Sequence, residues 1–221
     1  AGPLAGWSWE QRQEPRPPLL REGAFGGPQA RERMLYSFGA GADPAAWEAV
    51  TDADFGGRSR AKLEPTEQGT WVFSGALDLS TEGTEMKQAG YAGLQPRQRK
   101  TIKSLDGFDA LEVRAKTDGR VYIANIKTDS MVKHHLFQAF FTTRKDEWTN
   151  VVLPFDRFTL TFQGQVEGES LPIDPRQFQA VSFLMAERKD GEFRMELEWV
   201  KAINTRLRKG ARYTGLVHDQ D

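Results

Sequence analysis

Leu105-Asp106-Gly107-Phe108-Asp109-Ala110-Leu111-Glu112-Val113-Arg114 is followed by Thr117-Asp118-Gly119-Arg120-Val121-Tyr122-Ile123. Next come Gln138-Ala139-Phe140-Phe141 and Trp148-Thr149-Asn150-Val151-Val152-Leu153-Pro154-Phe155. These are short strand-forming runs separated by Asp-Gly turns and a charged loop. Leu111, Val113 and Ala115 alternate with Glu112, Arg114 and Lys116. That period of two sends the apolar set to one face of a strand.

The same pattern extends outward. Met34-Leu35-Tyr36-Ser37-Phe38 reads as a first strand. Asp43 to Ala49 reads as a short helix with Asp43 as N-cap and Pro44 at its first position. Thr51 to Gly57 is a turn-rich loop. Ser59, Ala61 and Leu63 share one face, as do Trp71, Phe73 and Gly75. Val181, Phe183 and Met185 alternate with Ser182 and Leu184. Phe193, Met195, Leu197 and Trp199 alternate with Arg194, Glu196 and Glu198, which predicts a half-buried strand with a wet glutamate face. No long helical period is present. Many short strands with Gly-containing turns predict an all-β sandwich or jelly roll.

Composition removes several function classes. The chain has 221 residues, 28% of them charged, and a net charge of −1, so bulk charge implies no nucleic-acid partner. It has no cysteine, which excludes disulfides, thiolate metal sites and a cysteine nucleophile. No apolar run approaches the roughly 20 residues of a spanning helix. Neither a phosphate-binding loop nor a Gly-x-Ser-x-Gly elbow occurs. His134 and His135 are adjacent, so on a strand they point to opposite faces, and Lys133 beside them opposes a cation. No metal, no cofactor and no catalytic residue are expected.

Candidate binding residues come from three places. Residues 1–33 form a Pro-rich arm, expected to be extended and packed outside the sandwich, in which Trp7 and Trp9 are either pins onto the domain or partner anchors. Arg97, Arg99, Lys100 and Lys103 lie in a span with no acid from Lys87 to Leu105. Arg206, Arg208, Lys209 and Arg212 lie in another, within a basic tail at 205–221. Either basic cluster suits an acidic partner or anionic lipid, or is simply a solvated face. Tyr122, Phe137, Phe140, Phe141 and Trp148 offer aromatic surface for a sugar, although a strand covered on both faces explains them more simply.

The ordered set resembles the complex I intermediate-associated protein 30 family over roughly 35–204, the span of the predicted sandwich at 34–204. The residues that carry it are Leu35 to Phe38, a helix bearing Trp47, Asp54-Phe55-Gly56-Gly57-Arg58-Ser59, Phe73-Ser74-Gly75, Gly90-Tyr91-Ala92-Gly93, Pro154 to Phe158 and Gly191-Glu192-Phe193. Ser182 departs from a glycine usual near the start of its strand. The resemblance implies a galactose-binding-like jelly roll and a non-catalytic assembly chaperone of mitochondrial respiratory complex I. Its partners would be membrane-arm subunits and other assembly factors, met in the mitochondrial matrix at the inner membrane, with peripheral contact to anionic lipid. The alternative reading is a carbohydrate-binding module of the same fold.

Overall fold

The computed structural model describes residues 31–98, 102–130, 135–162, 164–166 and 171–207. Its strands are β1 (Glu32–Ser37), β2 (Trp47–Thr51), β3 (Arg60–Pro65), β4 (Trp71–Leu77), β5 (Ala92–Pro96), β6 (Ala110–Thr117) and β7 (Tyr122–Thr128). They continue with β8 (His135–Phe141), β9 (Thr149–Pro154), β10 (Thr159–Phe162), β11 (Gln165–Val166), β12 (Phe178–Met185) and β13 (Gly191–Ile203). Two antiparallel sheets result. The first has the order β3-β4-β13-β6-β9 with β1 also on β13, and the second runs β11-β10-β8-β7-β12-β5-β2. All elements other than strands among the described residues are short 3-10 turns. The fold is the predicted all-β jelly-roll sandwich.

β13 organises the first sheet. One edge pairs with β6 along most of its length, while the other pairs with β4 up to Leu197 and with β1 from Trp199 onward. The core lies between the sheets, where Phe73 packs tilted against Phe193 with ring centroids 5.1 Å apart and Phe38 touches both Trp47 and Trp71. Leu111, Val113, Ala115, Val181, Phe183 and Met185 all point into it, as their alternation predicts. Phe141 is buried there, and Phe140 faces the other way.

Three expectations need correction. Trp199 does not share the buried face of Phe193, Met195 and Leu197. The register between β13 and β6 steps between Leu197 and Trp199, so Glu198 is the extra residue of a bulge and the alternation resets. Val200 then takes the core position, while Trp199 turns outward, half-buried, beneath Lys201 Nζ at 4.5 Å from the ring centroid. The Glu198 carbonyl accepts the Phe38 backbone N–H at 2.8 Å, which fixes the bulge to the end of β1.

The Asp43–Ala49 helix is a single 3-10 turn at Pro44–Ala46. Asp43 does cap it, through Ala45 N at 2.9 Å, but Trp47 opens β2 and is buried. Glu196 is the third correction, because it is buried rather than wet. Thr70 donates to its Oε1 at 2.5 Å, and Lys116 and Arg194 meet its Oε2 at 2.8 and 3.0 Å. Lys116 and Arg114 in turn lie over the Trp148 ring, so that tryptophan braces the outer face of the first sheet.

Burial alone would raise the Glu196 carboxyl, but the bonds from Lys116, Thr70 and Arg194 hold it below its ordinary value. A carboxylate with a lowered folded pKa stabilises the fold at every pH above its unfolded value of about 4.3. That contribution disappears as pH falls through the lower folded value. Glu196→Gln is therefore expected to melt earlier at pH 7. The cost is about 2 kcal/mol, below the usual range for breaking a buried pair because both cations keep contact with water. The gap to the parent should narrow as pH drops below 4, read by thermal melts at a series of pH values.

Candidate functional site

The loop between β2 and β3 is tightly constrained. Thr51 Oγ1 accepts the Ala53 N–H at 3.2 Å and starts a 3-10 turn at Asp52–Phe55. Asp52, fully buried, is the hub. Its Oδ1 accepts Ser59 N at 3.0 Å, and its Oδ2 accepts Ser59 Oγ at 2.9 Å, Gly90 N at 2.5 Å and Tyr91 N at 3.4 Å. One carboxylate thus clips the loop to the start of β3 and to the approach to β5. Gly57 packs against that carboxyl so closely that an added Cβ would overlap it. Gly56 takes the left-handed conformation with φ 90°, where side chains are rarely accommodated. The Tyr91 hydroxyl is raised above its ordinary pKa by burial, then by the Asp52 and Asp54 carboxylates.

The sequence motif opens at Asp54, but the carboxylate that holds the loop is Asp52. Asp54 is exposed, and Phe55 beside it is 69% exposed. Two aspartates two residues apart in a turn look equivalent until β5 is folded against one of them.

The basic clusters are redistributed. Arg97 is taken up by Glu48 of β2 at 3.0 Å. Lys103 lies instead in the loop before β6, whose Lys103 and Ser104 carbonyls accept the Arg33 guanidinium at 3.1 and 2.8 Å. That same loop binds the end of β13. Asn204 Nδ2 donates to the Gly107 carbonyl at 2.6 Å, and Asp109 receives Thr205 N at 2.7 Å and Arg206 Nε at 3.5 Å. The loop before β6 thus carries Lys103 and holds Arg206 through Asp109, one residue from each sequence cluster, and it also holds Arg33, which belongs to neither cluster. Trp7, Trp9, Arg99, Lys100, Arg208, Lys209 and Arg212 lie outside the described residues, as does His134.

The outer face of the second sheet carries a row that sequence could not assemble. Strand register sets Glu48 beside Gln95, Ser182 beside Asn125, Asn125 beside Gln138, and Gln138 beside Thr159. Gln95 Nε2 donates to Glu48 Oε1 at 2.8 Å, Asn125 Nδ2 to Ser182 Oγ at 3.4 Å and Gln138 Nε2 to Asn125 Oδ1 at 2.7 Å. Gln138 is 3% exposed, and its Oε1 has no partner among the described residues. The departure at Ser182 thus gives the Asn125 amide an acceptor in the row.

The sequence model of Complex I intermediate-associated protein 30 (CIA30) matches residues 36–197, from β1 into β13. The chain belongs to this family. Curated relatives named "Complex I intermediate-associated protein 30, mitochondrial" include one from Mus musculus, 24% identical over 76% of this chain and 55% of its own length. One from Drosophila melanogaster is 29% identical over 70% of this chain and 57% of its own length. One from Neurospora crassa is 26% identical over 78% of this chain and 73% of its own length. The chain spans little more than half the length of the mouse and fly relatives.

Among solved structures, a family 11 carbohydrate-binding module from a cellulosomal cellulase of Clostridium thermocellum is 17% identical, with a TM-score of 0.53 over 82% of this chain and 96% of its own. The Clostridium thermocellum family 11 module in complex with a mixed-linked tetrasaccharide has a TM-score of 0.52 over 78% of this chain and 95% of its own, again at 17% identity. These likenesses establish the galactose-binding-like jelly roll and nothing of the ligand.

Proposed function

We propose that this chain is a non-catalytic assembly factor for mitochondrial respiratory complex I that binds a membrane-arm intermediate from the matrix side of the inner membrane. The observation that carries the reading is the family match at residues 36–197, which takes in nearly the whole sandwich. The mechanism is surface complementarity. A rigid pair of sheets holds loops and flanking segments in place, and those segments make the contacts.

The end of the sandwich bearing Arg33, Lys103 and Arg206 is the proposed membrane-side contact, extended in sequence by Arg99, Lys100, Arg208, Lys209 and Arg212. Trp7 and Trp9 are proposed as a further contact. A cation near an anionic bilayer contributes about 1 kcal/mol. Screening limits that reach to about 8 Å at physiological ionic strength. Replacing Arg206, Arg208, Lys209 and Arg212 with serine is expected to lower recovery with the membrane fraction by tenfold or more on the order of these energies. Folding should be intact, and the deficit should shrink as salt rises. Recovery equal to the parent at every salt concentration would remove electrostatics from the contact.

A second reading, a carbohydrate-binding module of the same fold, draws on the half-buried Glu48, Gln95 and Ser182 of the row on the second sheet, because a sugar hydroxyl can both donate to and accept from such groups. Affinity recovery with the full chain as bait separates the two readings. Recovery of complex I components supports assembly, whereas retention on β-glucan without them supports the second reading.

A further inference from the structure

We propose that Phe55 is a docking anchor, whose phenyl ring seats in an apolar socket with a basic rim on a protein component of the assembly intermediate. The inference deepens the assembly reading and rests on it. Among the described residues Phe55 is the most exposed large apolar side chain, at 69%. A single exposed apolar residue is ordinary on a protein surface. What distinguishes this one is the rigidity of its support.

The loop is held from both sides. Thr51 caps its first turn, Asp52 ties it to Ser59, Gly90 and Tyr91, and Gly56 N donates to the Ala53 carbonyl at 3.1 Å. Beyond Phe55, Gly56 packs beside Thr84, and Arg58 donates to the Glu82 carbonyl at 3.3 Å, which joins the loop to the 81–84 turn. A phenyl ring held on fixed backbone has only two side-chain torsions left to lose on binding. Preorganisation of that kind cuts the entropic cost of association. Aromatic anchors seated in desolvated pockets are also what dominates binding energy at interfaces. Folding gains little from a ring left this exposed, so stability accounts for the loop's backbone clip at Asp52 but not for the phenyl ring it presents.

Local charge selects the partner surface. Asp54 adjoins the ring and Glu82 stands on the abutting turn, both exposed, with Glu85 following. Arg58 and Lys87 are exposed there too, and Arg58 keeps its charge while donating to the Glu82 carbonyl, so the three carboxylates exceed the two cations by one. A socket lined by aliphatic or aromatic side chains and edged by lysine or arginine complements this arrangement, whereas an anionic lipid surface does not.

The test uses the full chain in mitochondria, with three variants. Phe55→Asp is expected to melt within about 2 °C of the parent, as exposed substitutions do. It should bind its complex I partner about 30-fold or more weakly, the loss expected of an interface hot spot. Phe55→Leu should recover most of the binding. Benzoylphenylalanine at position 55 should crosslink on irradiation to a complex I subunit or assembly factor. If the parent recovers complex I components and Phe55→Asp recovers them equally, the anchor is overturned and the assembly reading stands. If the parent recovers none, both fall together. An adduct only with components unrelated to complex I would also overturn the anchor.

Discussion

Asp52→Ala is expected to cost about 4–5 kcal/mol, or roughly 8–20 °C in melting temperature for a domain of this size. The residue sits in a turn, where a small polar side chain is ordinarily replaceable. Here its carboxylate is fully buried and accepts from Ser59 N, Ser59 Oγ, Gly90 N and Tyr91 N. Hydrogen bonds to a charged acceptor contribute about 1.5–3 kcal/mol each, and every buried donor left behind adds its own desolvation cost.

Asparagine is no rescue. Gly90 N and Tyr91 N both address Oδ2 while Ser59 N addresses Oδ1, so an amide nitrogen at either position faces a backbone N–H. Asp52→Asn should therefore fall most of the way to Asp52→Ala. Asp54→Asn, at an exposed neighbour, should melt with the parent. Thermal melts of the three variants decide the matter. An Asp52→Ala protein within a degree or two of the parent would show that the loop does not depend on this carboxylate.

The part of this fold legible in sequence is the part governed by strict alternation. β6, β12 and the first half of β13 point their apolar residues inward as read, because a period of two needs no knowledge of neighbours. Reading failed where a neighbour changes the rule. Trp199 lies one residue past a bulge, and a bulge is created by the register against β6 rather than by the residues of β13. Glu196 looks wet because its carboxylate is polar, yet Thr70 and Lys116 from distant places in the chain join Arg194 of its own strand to enclose it.

The candidate sites follow the same logic. Two cation runs were visible as runs, but their division between Glu48 and the loop before β6 depends on which strands become adjacent. The row from Glu48 to Thr159 draws one residue from each of its strands, in an order that the chain does not follow. Phe55 was legible as part of a Gly-Gly loop. Its exposure was not, since that depends on Asp52 holding the backbone while the ring points away.

Gly75→Ala is expected to destabilise the sandwich by about 3 kcal/mol or more, at or beyond the upper end of ordinary overpacking costs. A single methyl group in a β-strand is normally tolerated or even favourable, since glycine weakens strands through its backbone entropy. Gly75 lies mid-strand in β4, opposite Ala61 on one side and Phe193 on the other. Its backbone is not left-handed, so conformational freedom is not what the position requires. The requirement is space. A Cβ built there falls within the Arg60 carbonyl and against the Ala61 backbone of β3.

Flexible side chains could move aside, but the obstacle is main chain held in the β3–β4 ladder. Relief would mean separating these two strands. The edge of the first sheet that carries Leu63 and Phe73 against the core would then loosen. Gly75→Ala should lower the melting temperature by roughly 6–12 °C. Gly75→Val should fail to accumulate as folded protein. Gly107→Ala is the control for glycine loss as such. Its φ of 86° makes that change strained, but the added Cβ meets open space. It should therefore cost only the backbone penalty of about 1–2 kcal/mol. Should Gly75→Ala melt no lower than Gly107→Ala, the close approach of β3 and β4 is not what holds this position to glycine.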